Sequence, residues 1–258
     1  ISTVFANFLS SAYLVLYFVR GKSLLKIRAA DLVPRLNVLP EMFSIGASSF
    51  ARTVAASVLA IVVNNALITF GSELHLAIFG VCNRILLFIM MPLFGLIHGL
   101  QPILGFNYGA RAMDRARESL MTALKVSVVY STACYVLLLA SSGVVFRLFG
   151  DDAQMLDQGP HILRVLILFL PAIGIQIIGA SLFQAIGKPL PALFFSMSRQ
   201  ILFLVPLVLL LPLALGLMGV WVAFPAADLL STAVTVIWVA REMREFNRLH
   251  GAGPQEGS

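Results

Sequence analysis

The chain has 258 residues, of which 59% are apolar and only 12% are charged. Soluble domains are roughly 45–50% apolar and about 25% charged, so this composition excludes a soluble globular protein. Disorder requires low hydrophobicity and a disulfide scaffold requires many more than the two cysteines present, so both of these classes are excluded as well.

Seven long apolar stretches lie between the charged clusters. An α-helix rises ~1.5 Å per residue and the hydrocarbon core of a membrane is ~30 Å thick, so about 20 residues cross it. The sequence therefore predicts an all-α polytopic membrane protein with seven transmembrane helices, whose last two are joined by an outer turn at 216–219. The predicted spans are residues 1–19, 43–70, 76–104, 120–149, 162–186, 190–213 and 220–240.

The Lys and Arg residues fall mostly on alternate connections between these spans. The connections after the first, third, fifth and seventh spans hold 13 of the 18, whereas the other connections hold acids, a histidine or no charge. By the positive-inside rule, the basic connections and the C-terminus are cytoplasmic and the N-terminus is outside. The net charge of +6 is therefore a signal of topology, and nucleic acid is not an expected partner. The basic residues of these connections are Arg20, Lys22, Lys26, Arg28, Arg35, Arg111, Arg115, Arg117, Lys125, Lys188, Arg241, Arg244 and Arg248.

Four charged residues are candidates for a position deep within the predicted spans. A charged side chain at the centre of a span costs ~2.5–3.5 kcal/mol, so each one needs a reason. Arg52, Arg199 and Asp228 lie deep, whereas Arg84 lies deep or near the outer interface depending on where its helix begins. On straight helices Arg199 and Asp228 are ~12 Å apart along the axis. A direct ion pair therefore requires favourable proline kinks, and otherwise each residue needs another partner or an aqueous cavity.

Polar residues also form stripes at helical spacing. One stripe rises along the second span, another follows the seventh, and Gln176 and Gln184 lie two turns apart on the fifth. Such stripes line either a helix contact or a watery cavity. Asn64 and the asparagine after it point ~120–140° away from Arg52, which favours interhelical hydrogen bonding over ligand contact. The seventh-span stripe consists of Trp221, Pro225, Asp228, Ser231, Thr232 and Thr235.

The third span ends in residues 101–111, with the sequence Gln-Pro-Ile-Leu-Gly-Phe-Asn-Tyr-Gly-Ala-Arg. This composition predicts a helix stop. Pro102 weakens the last turn, and Gly105 and Gly109 permit a tight turn. Asn107 is expected to hydrogen-bond the backbone there.

This segment resembles the QPxxGxNYGA signature of the multidrug and toxic compound extrusion (MATE) family. Other parts of the chain agree with that family, and the pattern is most similar to its MepA-like branch. The signature residues are Gln101, Pro102, Gly105, Asn107, Tyr108 and Gly109; the further agreements are Phe50, Arg52, Asn64, Asn65, Phe183, Gln184, Ala185, Gly187, Lys188, Arg199, Gln200, Pro206, Gly219, Val220, Trp221, Pro225 and Asp228.

The resemblance implies a fold and a domain plan. MATE proteins have twelve helices in two six-helix lobes around a central cavity. On that plan, residues 1–20 hold the last transmembrane helix of the N-terminal lobe and residues 21–42 a cytoplasmic linker between the lobes. Residues 43–240 are the six-helix C-terminal lobe, and residues 241–258 are a cytoplasmic tail.

The resemblance also implies a function. MATE proteins export cationic, amphiphilic drugs and toxic organic cations in exchange for H⁺ or Na⁺, by alternating access between the lobes. The expected protein is a multi-pass antiporter of the inner (plasma) membrane, surrounded by lipid, monomeric at full length and without a cofactor apart from the coupling ion. Its N-terminal lobe would be missing from this chain. Some branches couple through carboxylates in the first and fourth helices of the second lobe, but the fifth span, 162–186, contains no acid. Coupling through that site is therefore not expected.

Within this resemblance, six residues are candidates for the substrate cavity. Asp228 would attract the cationic drug, and Asn64, Gln176 and Gln184 would line the cavity. Arg52 and Arg199 fit less well, because positive charge repels a cation, so they would pair with acids of the absent lobe. The alternative is a lipid-linked oligosaccharide flippase of the same superfamily, in which cavity arginines would hold pyrophosphate.

The sequence does not favour an enzyme. It contains neither an HExxH nor a GxSxG motif, and no second deep histidine accompanies His98. No catalytic residue and no metal site are therefore predicted. Composition alone does not exclude a channel.

Overall fold

The computed structural model describes residues 2–19, 39–188, 191, 194–195 and 197–251, with most side chains described within 4–17 and 54–244. Every regular element among these residues is a helix, which confirms the predicted all-α fold. The helices are α1 (Ser2–Val19), α2 (Leu39–Phe70), α3 (Glu73–Gly109), α4 (Met113–Arg147), α5 (Ala153–Leu166), α6 (Leu170–Ala185), a π-helix (Ser198–Leu204), α7 (Val205–Leu215) and α8 (Leu217–Gly251).

The described helices match the predicted membrane spans closely. Four of them are long and apolar enough to cross a membrane, at 73–109, 113–147, 198–215 and 217–244. The bent pair α5–α6 makes a fifth span if it crosses as one unit. Two shorter apolar stretches, Val4–Leu14 and Val54–Phe70, lie in α1 and α2. The count of seven predicted spans includes these two stretches.

Contacts between Cα atoms divide the chain into two compact units, residues 1–50 and residues 51–258. The first unit holds α1 and the beginning of α2, and the second holds the rest. Most of the predicted linker, 21–42, lies outside the described residues, but 39–42 already belong to α2. The predicted tail begins as a continuation of α8, which runs to Gly251.

In the second unit α6 is the central helix, because it packs against α3, α4 and α8. Close packing on α4 depends on Gly174, where an added Cβ would lie 2.9 Å from Ser131 Oγ and 3.0 Å from the Ser127 carbonyl oxygen. Two apolar clusters fill the interior. One surrounds Leu170 and Trp221, and the other surrounds Phe183 towards the predicted cytoplasmic end.

The prolines of the apolar stretches fall into two groups. Pro171 stands at the first turn of α6, where the missing N–H is not needed, and Pro206 lies where the π-helix runs into α7. The break before Pro171 bends α5 against α6 by 46°. Three others lie inside continuous helices, Pro92 in α3, Pro212 in α7 and Pro225 in α8.

The outer turn between the last two spans is shorter than predicted. Instead of extending over 216–219, it consists of Gly216 alone, with φ +56°, so Gly219 lies inside α8. Gly219 has a different role there. An added Cβ would lie 2.5 Å from the carbonyl carbon and oxygen of Leu211, so α7 and α8 approach each other backbone to backbone.

Candidate functional site

An ion pair joins the last two membrane helices inside the bundle. Arg199, in the π-helix, donates from Nε to Asp228 Oδ1 on α8. The Asp228 side chain is 1% exposed, whereas the Arg199 side chain is 28% exposed. Asp228 is therefore sealed inside the protein, and Arg199 is the member of the pair that reaches the surface of this unit.

The short turn at Gly216 explains why these two residues meet. At ~1.5 Å per residue, Arg199 lies about 24 Å along its helix from Leu215, and Asp228 lies about 16 Å along α8 from Leu217. The axial offset is thus about 7.5 Å along straight helices, instead of the ~12 Å expected from the longer turn. A long arginine side chain bridges this distance. Of the two alternatives given for Arg199 and Asp228, a direct ion pair or separate partners, the structure contains the ion pair.

The polar stripe on α8 forms a helix contact. Ser231 and Thr235 donate to backbone carbonyls of their own helix, those of Asp228 and Ser231, at 3.1 and 2.8 Å. Thr232 lies 3.5 Å from the Ala172 carbonyl oxygen on α6. All of these side chains are buried. The sequence had left a watery cavity open as the alternative for this stripe.

Three buried side-chain oxygens in the second unit lack a hydrogen bond within the described part of the chain. They are Ser142 Oγ, Gln176 Oε1 and Asp228 Oδ2. Buried acceptors without a partner cost about 1–3 kcal/mol each, so they usually mark a functional position or a bound water. Gln176 itself is 5% exposed and lies in α6.

The other predicted cavity residues differ in their exposure. Asn64 is exposed on α2, and Gln184 is exposed at the end of α6. Arg52 belongs to α2, but its side chain lies outside the described residues. The structure thus shows a direct contact between Arg199 and Asp228, whereas Gln184 contacts Gln101 of the signature.

Arg84 lies in α3 about 16 Å from Glu73, where the helix begins. Its side chain is exposed. Among the described side chains it has no ion-pair partner. A charge within an apolar helix is unfavourable in lipid, so a protein or aqueous environment is expected on this face of α3.

The signature segment joins α3 to α6 at the predicted cytoplasmic end. Gln101 Nε2 donates to Gln184 Oε1 at 2.8 Å. One turn further along α3, a Cβ added to Gly105 would lie 3.0 Å from the Ala185 carbonyl oxygen. Two distant pieces of sequence thus form one contact.

The predicted helix stop is partly confirmed. The helix ends at Gly109, and Asn107 Nδ2 donates to the Ile103 carbonyl oxygen at 2.8 Å, as expected. The expected roles of Pro102 and Gly105 are wrong, because α3 passes through both and Gly105 serves close packing on α6. The left-handed residue of the turn is Arg111, with φ +57°, and neither glycine of the motif. Tyr108 packs half-buried against the second apolar cluster.

A further ion pair, absent from the sequence prediction, joins α6 to α8 at the same end. Gly187, with φ +71°, ends α6 in a left-handed turn in which the Lys188 N–H donates to the Phe183 carbonyl oxygen at 2.9 Å. This turn places Lys188 Nζ 2.7 Å from Glu242 Oε1. Glu242 is buried, although it lies between Arg241 and Arg244 in a segment predicted to be a cytoplasmic tail. We name Gln101, Gly105, Gln184, Lys188 and Glu242 the signature cluster.

The signature cluster predicts different outcomes for the two motif glycines. Gly105→Ala is expected to destabilise the protein by about 1–2 kcal/mol, because the backbone of Ala185 must yield to the new Cβ. Gly109→Ala is the matched control, since no atom lies within 4 Å of its added Cβ. Thermal unfolding of the two variants in detergent measures the difference. Equal melting temperatures would show that the close approach at Gly105 is not needed.

Comparisons with known proteins place these features in a family. The MatE family model matches residues 48–210. A multidrug export protein MepA from Staphylococcus haemolyticus is 24% identical over 220 residues, which are 85% of this chain and 48% of that protein. The FAD transporter of Shewanella oneidensis is 29% identical over 180 residues, which are 70% of this chain and 38% of that protein.

Solved structures show the same fold. The MATE multidrug transporter DinF-BH, solved as a ligand complex, is 38% identical, with a TM-score of 0.79, and the match covers 95% of this chain and 55% of that one. A MOP superfamily transporter from Pyrococcus furiosus has a TM-score of 0.78 at 21% identity, with 93% of this chain and 54% of that one covered. The chain thus spans about half the length of the proteins it matches.

Proposed function

The chain belongs to the MatE family of membrane transporters, and from this we propose that it is the C-terminal half of a cation-coupled multidrug antiporter. It exports cationic, amphiphilic compounds by alternating access. The protein is embedded in the cell membrane with its basic end in the cytoplasm. The coupling ion is H⁺ or Na⁺.

One observation supports this function most strongly. The DinF-BH structure, which matches nearly the whole chain at 38% identity, is that of a multidrug transporter in complex with a ligand. The MepA relatives, named as multidrug export proteins, point to the same class of activity. Multidrug export is therefore the activity best supported for a transporter that contains this chain.

The exposed polar side chains fit a cavity shared with a second lobe. Asn64 on α2 and Arg84 on α3 are exposed within apolar helices, where contact with lipid would be unfavourable. A second lobe and the water between the lobes would provide the polar environment that both residues require. In the transporter, such a cavity lies between two halves that rock about it.

The signature cluster gives this half the stiffness that rocking requires. It ties the ends of α3, α6 and α8 together through the Gln101–Gln184 hydrogen bond and the Lys188–Glu242 ion pair. Because the three helices are fixed at one end, the lobe moves as a body and the cavity opens or closes between lobes.

Dye efflux tests the proposal. Cells that express the full-length transporter are expected to retain several-fold less ethidium than cells with the empty vector, and a protonophore or removal of Na⁺ should abolish the difference. The readout is ethidium fluorescence after loading. Equal retention in both strains, for ethidium and for other cationic dyes, would contradict the proposal.

A second candidate is export of an anionic substrate. The FAD transporter relative is named for a negatively charged dinucleotide, and exposed Arg84 offers a cation that suits one. The flippase alternative uses the same argument, but neither curated relative described above is named as a flippase. In the efflux assay, export of flavin with retention of ethidium would favour this candidate, and Arg84→Gln should then reduce flavin export.

A further inference from the structure

Asp228 has a position that no other acid in the chain shares. It is the only Asp or Glu in any of the seven apolar stretches of the sequence. In the structure it is fully buried about 16 Å along α8 from Leu217. A buried carboxylate at this depth persists as an anion only with a compensating partner.

The buried carboxylate of Asp228 has a partner for only one of its two oxygens. Arg199 binds Oδ1, whereas Oδ2 has no hydrogen-bond partner in the part of the chain that the structure describes. The free oxygen is buried, so a bulky cationic drug has no access to it. A proton is small enough to reach it when Arg199, which is partly exposed, moves aside.

Few other titratable groups lie on the helices packed against α8. The described residues of α6 and α7 contain none, and the π-helix contains Arg199. α5 contributes Asp157, His161 and Arg164, all exposed. α4 has its charged residues near its ends, with Tyr130, Cys134 and Tyr135 between them. Arg199 is therefore the charged group that decides the state of Asp228.

Arg199 lies on an element of unusual geometry. π-helices, with i→i+5 hydrogen bonds, are rare and occur frequently at functional sites. The π-helix runs directly into α7, which begins at Val205 and contains Pro206 in its first turn. A change of register in the π-helix would move Arg199 relative to Asp228 while α8 stays in place.

From these observations we propose that Asp228 binds the coupling proton and that Arg199 couples it to the drug. This inference rests on the proposed antiport function. A proton from the outer solution binds Asp228 Oδ2, the carboxylate becomes a neutral carboxylic acid, and Arg199 is released. The freed guanidinium turns towards the cavity and repels a cationic drug, which leaves to the outside. Loss of the proton to the cytoplasm restores the ion pair, and the next drug molecule binds.

This mechanism gives both Asp228 and Arg199 a role in transport without a direct contact between Asp228 and the drug. Proton and drug exclude each other through Arg199, which is the requirement for antiport. It also explains why an arginine lies in the cavity of a transporter for cations. Its positive charge is masked while the drug is bound and exposed when the drug must leave.

The test uses the full-length transporter in proteoliposomes, with ethidium as the probe. Asp228→Asn is expected to lose ethidium accumulation driven by a pH gradient at least tenfold, and to lose proton release on ethidium binding. It should also lose exchange of ethidium across the membrane without a gradient, because the neutral amide leaves Arg199 free to repel the drug. Asp157→Asn, which removes an exposed acid on α5, is the matched control and should behave as the wild type.

Three outcomes would overturn the inference. Gradient-driven accumulation by Asp228→Asn at the wild-type level would show that another group binds the proton. Ethidium exchange by folded Asp228→Asn at the wild-type level would show that the freed Arg199 does not repel the drug. Ethidium affinity of the wild type that does not fall as the pH is lowered would exclude competition between drug and proton, and this measurement needs no variant.

Folding is checked by size-exclusion chromatography. If Asp228→Asn is misfolded because Arg199 is left without its partner, the double variant Arg199→Gln/Asp228→Asn removes both charges, and it should exchange ethidium without coupling. Coupled accumulation by the double variant would contradict the inference. Absence of ethidium exchange in the wild type would instead refute the proposed function itself.

Discussion

Arg199→Ala is expected to lower the free energy of unfolding by about 3–5 kcal/mol, the range measured when one member of a buried ion pair is removed. The substitution leaves the Asp228 carboxylate fully buried without its only described ionic partner. The loss comes from the unpaired charge far more than from the missing contact. Thermal and denaturant unfolding of the full-length protein in detergent measures it.

Two control variants separate the possible causes of this loss. Arg84→Ala removes an exposed arginine from α3 and should change stability by less than about 0.5 kcal/mol in detergent. Arg199→Met/Asp228→Leu replaces the pair by apolar side chains and should recover most of the stability. If Arg199→Ala unfolds at the wild-type temperature, Asp228 is not an anion in the folded protein.

The sequence predicts the fold class and the membrane spans of this protein, because both depend on the composition of stretches of about 20 residues or more. The all-α membrane fold follows from apolar runs long enough to cross a bilayer. A helix satisfies its own backbone hydrogen bonds there, and few other structures do. The end of α3 at Gly109 follows from local chemistry, and Asn107 hydrogen-bonds the backbone close to this end, as its side chain suggests. Such features need no knowledge of the tertiary structure.

The site depends on details that the sequence does not specify. Whether Arg199 meets Asp228 depends on how long the turn between their helices is, and both a short and a long turn are compatible with glycines at 216 and 219. The π-helix leaves no simple signal in the residues 198–204. The role of Glu242 was not predicted, because its neighbours Arg241 and Arg244 indicate a cytoplasmic tail. Its partner Lys188 is far away in the sequence, so only the tertiary structure shows the contact.

The role of Gly105 in the signature motif also depends on the tertiary structure. Its conformational freedom suggested a turn, but the structure uses its small size, because the carbonyl of Ala185 occupies the space that a side chain would need. Turn and close packing favour the same residue type, so sequence alone does not separate them. Only the position of α6 decides between the two.

Gly219→Ala is expected to destabilise the protein by about 3 kcal/mol, at the upper end of the usual range for overpacking. The new Cβ would lie 2.5 Å from the backbone of Leu211 and 2.6 Å from the nitrogen of Pro212. Neither is the flexible end of a side chain, so α7 and α8 must separate. The matched control is Gly143→Ala in α4, where no atom lies within 4 Å of the added Cβ. That variant should gain up to about 1 kcal/mol from helix propensity.

Separation of α7 from α8 should also weaken the Arg199–Asp228 pair, because the π-helix continues directly into α7. The double variant Gly219→Ala/Arg199→Ala is therefore expected to lose less stability than the two single variants together, by about 1 kcal/mol or more. Unfolding of all three variants under the same conditions gives this difference. Additive losses would mean that the pair forms regardless of how closely the two helices pack, and that the side chain of Arg199, more than the position of its helix, establishes the contact.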